Sequence, residues 1–199
     1  MTDKPETRIT VYHLEMRSPD HLQPSTSAVS GFELRRAAIP SPAFSRFLYA
    51  GVGAGWNWYE RLNWRYDQWL AYLDRPELET WVSYRHGTPA GYFELERQDE
   101  GDVEIVYFGL LPEFIGQGLG GLLLTEAVKR AWAHASSRVW LHTCTLDHPY
   151  ALRNYLARGF RIFHEEQQTV SLPDRRPDAW PEFWSNNGKS PLLSAREER

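Results

Sequence analysis

The sequence predicts a single α/β domain built on a mixed, mostly antiparallel sheet. Stretches of alternating apolar residues at 80–86, 90–97 and 103–110 follow one another across short polar turns, which predicts three successive antiparallel strands. A helical pattern at 118–136 and an apolar strand at 139–144 come next. A strand–helix–strand unit of this length implies a parallel pair with a right-handed crossover, so the sheet is expected to be mixed.

The N-terminal part is expected to add strands and helices to this core. Residues 8–16 alternate as a strand, with Ile9, Val11 and His13 on one face. A further strand or edge is predicted at 32–38, and a helix from Pro42 that stops at Gly51.

An unusually aromatic segment follows that helix. It contains Trp56, Trp58, Tyr59, Trp64, Tyr66, Trp69 and Tyr72. Its later part is predicted to be helical, and the residues expected to face inward are Leu62, Tyr66, Trp69, Leu70 and Leu73. The aromatic side chains either pack in the core or line an acceptor pocket, because aromatic faces beside a carboxylate such as Glu60 favour a cationic amine.

The C-terminal part is predicted to continue with a helix, a strand and an extension. Asp147 as N-cap and Pro149 in the first turn predict a helix that Gly159 ends. A strand is expected from Phe160, continuing toward residue 172. In the extension from Pro173, three aromatic residues are expected to pack on the body: Trp180, Phe183 and Trp184.

Composition excludes several classes of protein. The 199 residues suffice for one domain, with a net charge of −4 and a pI near 6.0, which argues against a general nucleic-acid binder. Cys144 is the sole cysteine, so neither an internal disulfide nor a cysteine metal cluster is possible, and no motif predicts a metal site. No apolar run approaches a membrane span and no signal core is present, so we expect a cytoplasmic protein without membrane or nucleic-acid partners.

The stretch 103–124 contains a glycine-rich loop that predicts an anion site. Glycines at 116, 118, 120 and 121 precede and open a helix, whose free amides favour phosphate. No lysine follows these glycines, which excludes the phosphate-binding loop of nucleoside triphosphatases. The spacing literally matches the dinucleotide pattern G-x-G-x-x-G. However, residues 112–114 separate it from the strand, and the preceding strands are antiparallel rather than part of a βαβ unit.

From about residue 80 to 172 the chain resembles the GNAT superfamily of acyl-CoA-dependent N-acyltransferases. The family motif [Q/R]-x-x-G-x-[G/A] corresponds to 115–120, after a proline step at 110–112, although Ile115 stands where the family prefers Arg or Gln. A second motif, A-x-x-x-Y-x-x-x-G-F, corresponds to Ala151, Tyr155, Gly159 and Phe160. The resemblance implies the GNAT fold, a mostly antiparallel sheet with a splayed parallel strand pair and helices on both faces.

The resemblance also implies where acetyl-CoA would bind as co-substrate, with no metal. It would lie between the strand ending at Leu110 and the strand ending at Cys144. Backbone amides would hold the pyrophosphate at Gln117, Gly118, Leu119, Gly120 and Gly121. Backbone groups from Phe108 to Leu110 would pair with pantetheine and polarise the acyl carbonyl, and His148 would contact pantetheine or act as a base.

Two catalytic side chains are expected. Tyr155 matches the tyrosine that protonates the leaving thiolate in the family, although it could be a core tyrosine. Glu104 stands at the position of a catalytic glutamate in some members. It is expected to share an apolar strand face with Val106 and Phe108, where burial would raise its pKa. An exposed Glu104 is the alternative.

Other groups could act as the base, and no motif identifies the acceptor. Glu94, Glu96 or a water chain could replace Glu104 as base, while His142 is expected to be a satisfied core group. The expected acceptor residues are Trp56, Trp58, Glu60 and Glu94. We expect no covalent enzyme intermediate, because Cys144 is predicted to lie in a core strand.

These residues predict transfer of an acetyl group from acetyl-CoA to a primary amine of a small molecule, by direct attack in a ternary complex. The alternatives are a protein or peptide N-acetyltransferase and a non-catalytic acyl-CoA-binding regulatory module. One domain is expected over 1–199, with an acceptor side at 1–79, a cofactor core at 80–172 and an extension at 173–199. Family habit suggests a homodimer.

Overall fold

The computed structural model describes residues 6–172, so the aromatic residues of the predicted extension lie outside the described part. Seven strands are present there: β1 (Glu6–Met16), β2 (Phe32–Arg36), β3 (Leu78–Arg85), β4 (Thr88–Arg97), β5 (Asp102–Leu110), β6 (Arg138–Cys144) and β7 (Arg161–Ser171). Four α-helices connect them: α1 (Pro42–Gly53), α2 (Tyr66–Leu73), α3 (Leu119–Trp132) and α4 (Ala151–Ala157).

The strands form one sheet in the order β2-β3-β4-β5-β6-β1-β7. Within residues 6–172, β5 and β6 are the one parallel pair, and the other neighbouring strands are antiparallel. The parallel register covers only Asp102 to Glu104 against Arg138 to Trp140. Beyond Glu104 the two strands diverge, and this confirms the predicted mixed sheet with a splayed parallel pair.

The N-terminal strand occupies an interior position in the sheet. β1 pairs antiparallel with β6 on one side and with β7 on the other. His13 lies opposite both His142 and His164 in these registers, so three histidines stand in a row across three strands. Local patterns predict β1 and β7 as strands but carry no information about this long-range pairing.

Helices α3 and α4 cover one face of the sheet. Leu123, Leu124, Ala127, Val128 and Ala131 of α3 recur at helical spacing and are fully buried against the sheet. Lys129 and Arg130 in its last turn complement the helix dipole. This apolar packing fixes the direction of the first turn of α3 relative to the glycine loop.

Helices α1 and α2 cover the opposite face. Leu48 and Val52 of α1 pack on the sheet, whereas Trp69 and Leu73 of α2 pack with Tyr49. The helix α1 continues to Gly53 rather than stopping at Gly51 as predicted.

The inward face predicted for α2 is partly wrong. Tyr66 is 67% exposed and Leu70 is 37% exposed, and Leu62 precedes the helix. The helix has only eight residues and packs through one narrow stripe of Trp69, Tyr72 and Leu73, so Tyr66 and Leu70 are left facing solvent.

A β-bulge in β5 corrects the predicted face of Glu104. Glu94 pairs with Tyr107 and the next β4 residue, Leu95, pairs with Ile105, which leaves Val106 without a direct partner. Alternation therefore changes at Val106. Phe108 packs in the core under α3, whereas Tyr107 contributes to the clusters under α1 and α2. Glu104 consequently does not share a face with Phe108.

The segment between β6 and α4 differs from the predicted helix start. α4 begins at Ala151, and Asp147 is not its N-cap. The Asp147 carboxylate instead accepts hydrogen bonds from Thr143 Oγ1 at 2.6 Å and from the Cys144 amide at 3.0 Å. Gly159 ends the helix as predicted, with a φ of 97° that favours glycine.

Among the helices of residues 6–172, none combines the length and the hydrophobicity needed to span a membrane.

Candidate active site

A cavity of about 1130 Å³ opens where β5 and β6 diverge. Its walls come from β5, β6, the loop before α3, the segment before α4, residues 56–63, and the strands β1 and β7. Beyond the parallel register, no strand of residues 6–172 lies between the facing edges of β5 and β6. Backbone groups of β5 along this edge face the opening and can hydrogen-bond with an extended ligand, whereas the Cys144 amide at the end of β6 already donates to Asp147.

Most of the predicted site residues line this cavity. They are Trp56, Trp58, Glu60, Glu104, Phe108, Leu110, Gly120, His148 and Tyr155. The predicted residues that are not among its lining are Glu94, Gln117, Gly118, Leu119 and Gly121. The sequence therefore predicts residues on both sides of the opening, but five of the predicted residues do not line it.

The glycine part of the cavity, defined as Leu110, Ile115, Gly116, Gly120 and Asn154, depends on backbone geometry. Gly116 has a φ of +81°, and a Cβ there would meet no atom within 4 Å. A Cβ on Gly120 would approach only Leu110 and Asn154, both at 3.9 Å. The turn thus leaves open space at the start of α3, which fits a phosphate-bearing chain such as that of acetyl-CoA.

Other residues of the loop are arranged differently. The Gln117 amide side chain donates to the Glu113 carbonyl at 2.6 Å, and Leu119 is fully buried. A Cβ on Gly121 would lie 2.6 Å from Arg158 Nη1 and 3.1 Å from Ser25 Oγ. Gly121 is therefore covered by two polar side chains, and Arg158 brings a positive charge to the first turn of α3.

Tyr155 lies at the cavity wall on α4. It is 6% exposed, and its ring contacts Phe108 edge to face with a centroid distance of 5.9 Å. Burial raises the pKa of the Tyr155 phenol, so it remains protonated at neutral pH. A protonated phenol at this wall can donate a proton to a leaving group.

Glu104 lies where the two strands begin to separate. Its side chain is 12% exposed, and Gln98 Nε2 donates to Oε2 at 2.8 Å. The other oxygen, Oε1, lies 3.3 Å from Nδ1 of His142. Glu104 is therefore a nearly buried carboxylate with two defined partners.

The prediction that His142 is a core group is wrong. Its side chain is 50% exposed and lines the cavity, because Leu141 and Thr143 take the inward positions of β6. The hydrogen bond with Glu104 raises the pKa of His142. Strict alternation in β6 would have revealed this orientation from the sequence.

Glu94 is buried outside the cavity. It is 2% exposed, its Oε2 accepts a hydrogen bond from Tyr72 at 2.7 Å, and Arg61 lies 3.9 Å away. Burial raises the pKa of Glu94. Glu96, the other alternative base, accepts two hydrogen bonds from Arg75, at 2.9 and 3.1 Å. The structure brings neither carboxylate to the cavity.

The aromatic segment serves both roles considered from the sequence. Trp64 and Trp69 pack with each other in the cluster around α2. Trp56 and Trp58 line the cavity, where Trp56 contacts His148 at 4.9 Å and Trp58 contacts Tyr107 at the same centroid distance.

The acidic part of the cavity surrounds His142. Across the described residues, the carboxylates that line the cavity are Glu60, Glu104, Asp147 and Glu166, and no Lys or Arg lines it. Glu60, Glu104 and Asp147 all interact electrostatically with His142. Glu166 joins through His13, whose Nε2 lies 3.3 Å from Glu166 Oε1. A wall of this charge favours a cationic ligand.

Two further lining residues bear on the chemistry. Burial lowers the pKa of His148, which keeps its imidazole neutral, and Nδ1 accepts a hydrogen bond from the Tyr150 amide at 3.1 Å. Cys144 ends β6, an interior strand of the sheet as predicted, but its side chain is partly exposed and lines the cavity. Burial raises the pKa of its thiol, which makes it a weak nucleophile.

Within 6–172, no group of three or more His, Cys, Asp or Glu side chains is arranged to hold a metal ion.

Comparison with family models identifies the class. The model described as the acetyltransferase (GNAT) family matches residues 40–160, more than half of the chain. The chain therefore belongs to the GNAT family of acyltransferases, whose acyl donor is generally acetyl-CoA. The match contains the glycine loop and α4 but neither β1 nor β7.

Solved structures share the fold at low sequence identity. A GCN5-related N-acetyltransferase from Kribbella flavida has a TM-score of 0.59 and 18% identity, over 86% of this chain and 62% of that one. One from Sphaerobacter thermophilus has a TM-score of 0.59 and 16% identity, over 85% and 54% respectively. This chain thus spans less than two thirds of either structure.

A third structure is an aminoglycoside acetyltransferase from an uncultured soil metagenomic sample, in complex with trehalose. It has a TM-score of 0.53 and 16% identity, over 64% of this chain and 87% of that one. A search of curated proteins gave no significant match.

Proposed function

We propose that the protein transfers an acetyl group from acetyl-CoA to a primary amine of a small, positively charged molecule. The observation that carries this proposal is one cavity with two different parts. Its glycine part lies at the start of α3 between diverging strands, and its acidic part has four carboxylates and no Lys or Arg among the described lining residues. Family membership supports the reaction, and the charge of the wall supports the class of acceptor.

Acetyl-CoA would lie along the facing edges of β5 and β6. The open turn at Gly116 and Gly120 would take the pyrophosphate, and Arg158 would add positive charge nearby. Backbone groups near Phe108 and Leu110 would hold pantetheine and polarise the thioester carbonyl. Acetyl-CoA supplies an activated acyl group, whereas the protein aligns it with the amine and excludes water.

The reaction proceeds by direct attack in a ternary complex. The neutral amine attacks the carbonyl carbon, the C–N bond forms, and the C–S bond breaks as CoA leaves as thiolate. Tyr155, which burial keeps protonated, would donate a proton to that thiolate. Cys144 takes no part, because the raised pKa of its thiol leaves little thiolate at neutral pH.

A small acceptor is favoured over a protein substrate. Trp56 and Trp58 line the same cavity as the four carboxylates, and each has an aromatic neighbour at a centroid distance of 4.9 Å. Aromatic faces beside carboxylates bind alkylammonium groups well. Among the similar structures, one is described as an aminoglycoside acetyltransferase, and aminoglycosides are small polycations.

The test is a thiol-release assay with acetyl-CoA and a panel of amines: polyamines such as spermidine, aminoglycosides such as kanamycin, amino acids, and short peptides. We expect amine-dependent CoA release with cationic amines and much less with glutamate, whose net charge is negative. Binding of acetyl-CoA without CoA release for any amine would contradict the proposal and favour a non-catalytic acyl-CoA-binding module.

A further inference from the structure

We infer that His142 accepts the proton of the incoming ammonium group and that Glu104 is the positioning residue that orients it. This assignment rests on the proposed function and replaces the expectation that Glu104 itself is the base. Three features of the structure carry it: the placement of both residues, the division of their contacts, and the charge around them.

Placement favours His142 as the group that touches the substrate. Glu104 is the last β5 residue in the parallel register and has a side chain only 12% exposed. His142 lies two residues beyond the corresponding Trp140 on β6, where the strands have separated, and is 50% exposed at the cavity wall. A substrate entering the cavity therefore meets the imidazole more readily than the carboxylate.

The contacts of Glu104 are those of an orienting group. One oxygen accepts from Gln98 Nε2 at 2.8 Å, and the other lies 3.3 Å from His142 Nδ1. Gln98 is itself fixed, because its side-chain oxygen accepts a hydrogen bond from Trp140 Nε1 at 2.9 Å. With the Glu104 contact on Nδ1, the proton-accepting nitrogen toward the cavity is Nε2.

The surrounding charges match a base that acts on an ammonium group. The groups facing His142 are Glu104 on β5, His13 on β1, Asp147 before α4 and Glu60 before α2, with Glu166 on β7 paired to His13. The hydrogen bond that His142 Nδ1 donates to the Glu104 carboxylate raises the pKa of His142, and the negative charges of Glu104, Asp147 and Glu60 raise it further. The pKa of an alkylammonium group is about 10.4, and a raised imidazole pKa is closer to this value than the pKa of a carboxylate is. Proton transfer from the ammonium group to His142 is therefore less unfavourable than transfer to Glu104.

Proton transfer to His142 precedes acyl transfer. The lone pair of His142 Nε2 accepts one proton from R–NH₃⁺, which gives R–NH₂ and imidazolium. The amine then attacks the thioester carbon and CoA thiolate leaves. The remaining excess proton on the amide nitrogen passes to the thiolate by way of Tyr155, and His142 returns its proton to solvent. The sum is an N-acetyl amine, CoA and one released proton.

Kinetics separate the two roles. For wild type, kcat/KM for spermidine or kanamycin, whichever is acetylated faster, should fall as the pH decreases through a midpoint above 6.5, the ordinary pKa of histidine. His142→Gln should lower kcat by about 100-fold and remove this acid limb, while the Kd of acetyl-CoA stays unchanged. Glu104→Gln should move the midpoint to lower pH and lower kcat at pH 8 by less than about 10-fold.

A second histidine–glutamate pair provides the matched control. His134 Nε2 lies 3.3 Å from Glu79 Oε1, the same separation as in the His142 pair, but His134 does not line the cavity. His134→Gln should therefore keep both kcat and the acid midpoint. A change in this variant as large as that in His142→Gln would overturn the assignment.

A titration that needs no acceptor tests the pairing itself. In NMR spectra of the histidine-labelled protein, the pKa of His142 should lie above 6.5 in wild type and move toward 6.5 in Glu104→Gln. A pKa that does not respond to Glu104→Gln overturns the pairing, and an active His142→Gln with an inactive Glu104→Gln overturns the roles. If wild type acetylates no amine although acetyl-CoA binds, the proposed function fails first, and this assignment fails with it.

Discussion

The two parts of the cavity are built by different means. The glycine part depends mainly on backbone from one continuous stretch, which runs from the end of β5 through residues 111–118 into α3, and of its five residues only Asn154 comes from elsewhere, on α4. The acidic part depends on side chains from segments far apart in the chain, such as Glu60, Glu104 and Glu166. Acetyl-CoA, the donor that family members generally share, is thus expected at the glycine part. The acceptor, which differs between members, is expected where substitutions of single side chains change the surface.

The largest effect should follow from filling the glycine part. Gly120→Leu would extend from a Cβ with free space toward the cavity, since the nearest atoms lie at 3.9 Å. We expect the Kd of acetyl-CoA to rise by at least about 100-fold, while the melting temperature changes little. Isothermal titration calorimetry measures the first quantity and calorimetric melting the second.

Ala157→Leu is the control for that change, because Ala157 is exposed on α4 and does not line the cavity. Equal acetyl-CoA affinity in Gly120→Leu and wild type would show that the donor binds elsewhere.

Replacing the buried carboxylate Glu94 should separate stability from activity. Glu94→Ala would remove the acceptor of the Tyr72 hydroxyl and the negative charge beside the largely buried Arg61. We expect the free energy of unfolding to fall by about 3 kcal/mol, measured by urea denaturation. Because Glu94 does not line the cavity, kcat of the remaining folded protein should be close to that of wild type.

The companion change Glu94→Gln keeps an acceptor for the Tyr72 hydroxyl and should cost less stability than Glu94→Ala. A loss of kcat in Glu94→Gln without a loss of stability would return Glu94 to the list of candidate bases.

Removing the Tyr155 hydroxyl tests the leaving-group step. Tyr155→Phe keeps the edge-to-face contact with Phe108 but cannot donate a proton. We expect kcat to fall by about 10-fold with an unchanged Kd for acetyl-CoA. Tyr66→Phe, at an exposed position on α2, is the matched control. If Tyr155→Phe keeps the wild-type kcat, Tyr155 is only a packing residue.

The smallest effect should come from one charge in the acidic part. Glu60→Gln should raise KM for spermidine by about fivefold, corresponding to about 1 kcal/mol for an ion pair in a solvated cavity. Glu165→Gln, an exposed position beside Glu166 that does not line the cavity, should leave KM unchanged. Equal KM values for Glu60→Gln and wild type would mean that the cation binds away from Glu60.

The contrast between local backbone and distant side chains also decides which features the sequence predicts. The antiparallel strands, the parallel pair and the glycine turn are confirmed because each depends on residues close in the chain. The bulge at Val106 is a one-residue irregularity without a distinct pattern, and it moved Phe108 to the face opposite Glu104. The position of β1 between β6 and β7 depends on pairing across more than 120 residues. Consequently, the partnership of His13 with Glu166 could not be predicted.

His142 is a different case, because its orientation follows from alternation in β6 and was obscured by treating the whole strand as buried. Its partner Glu104 was predicted as a site residue, but their contact requires knowledge that the strands separate directly after Glu104.

Initial rates with acetyl-CoA and spermidine varied together test the central claim most directly. If one cavity holds both substrates, CoA release should depend on both, and double-reciprocal plots should give intersecting lines. Parallel lines would indicate an acetylated enzyme intermediate and contradict direct transfer. No amine-dependent release with spermidine or any other cationic amine, at saturating acetyl-CoA, would contradict the assignment of the acidic part as an acceptor site.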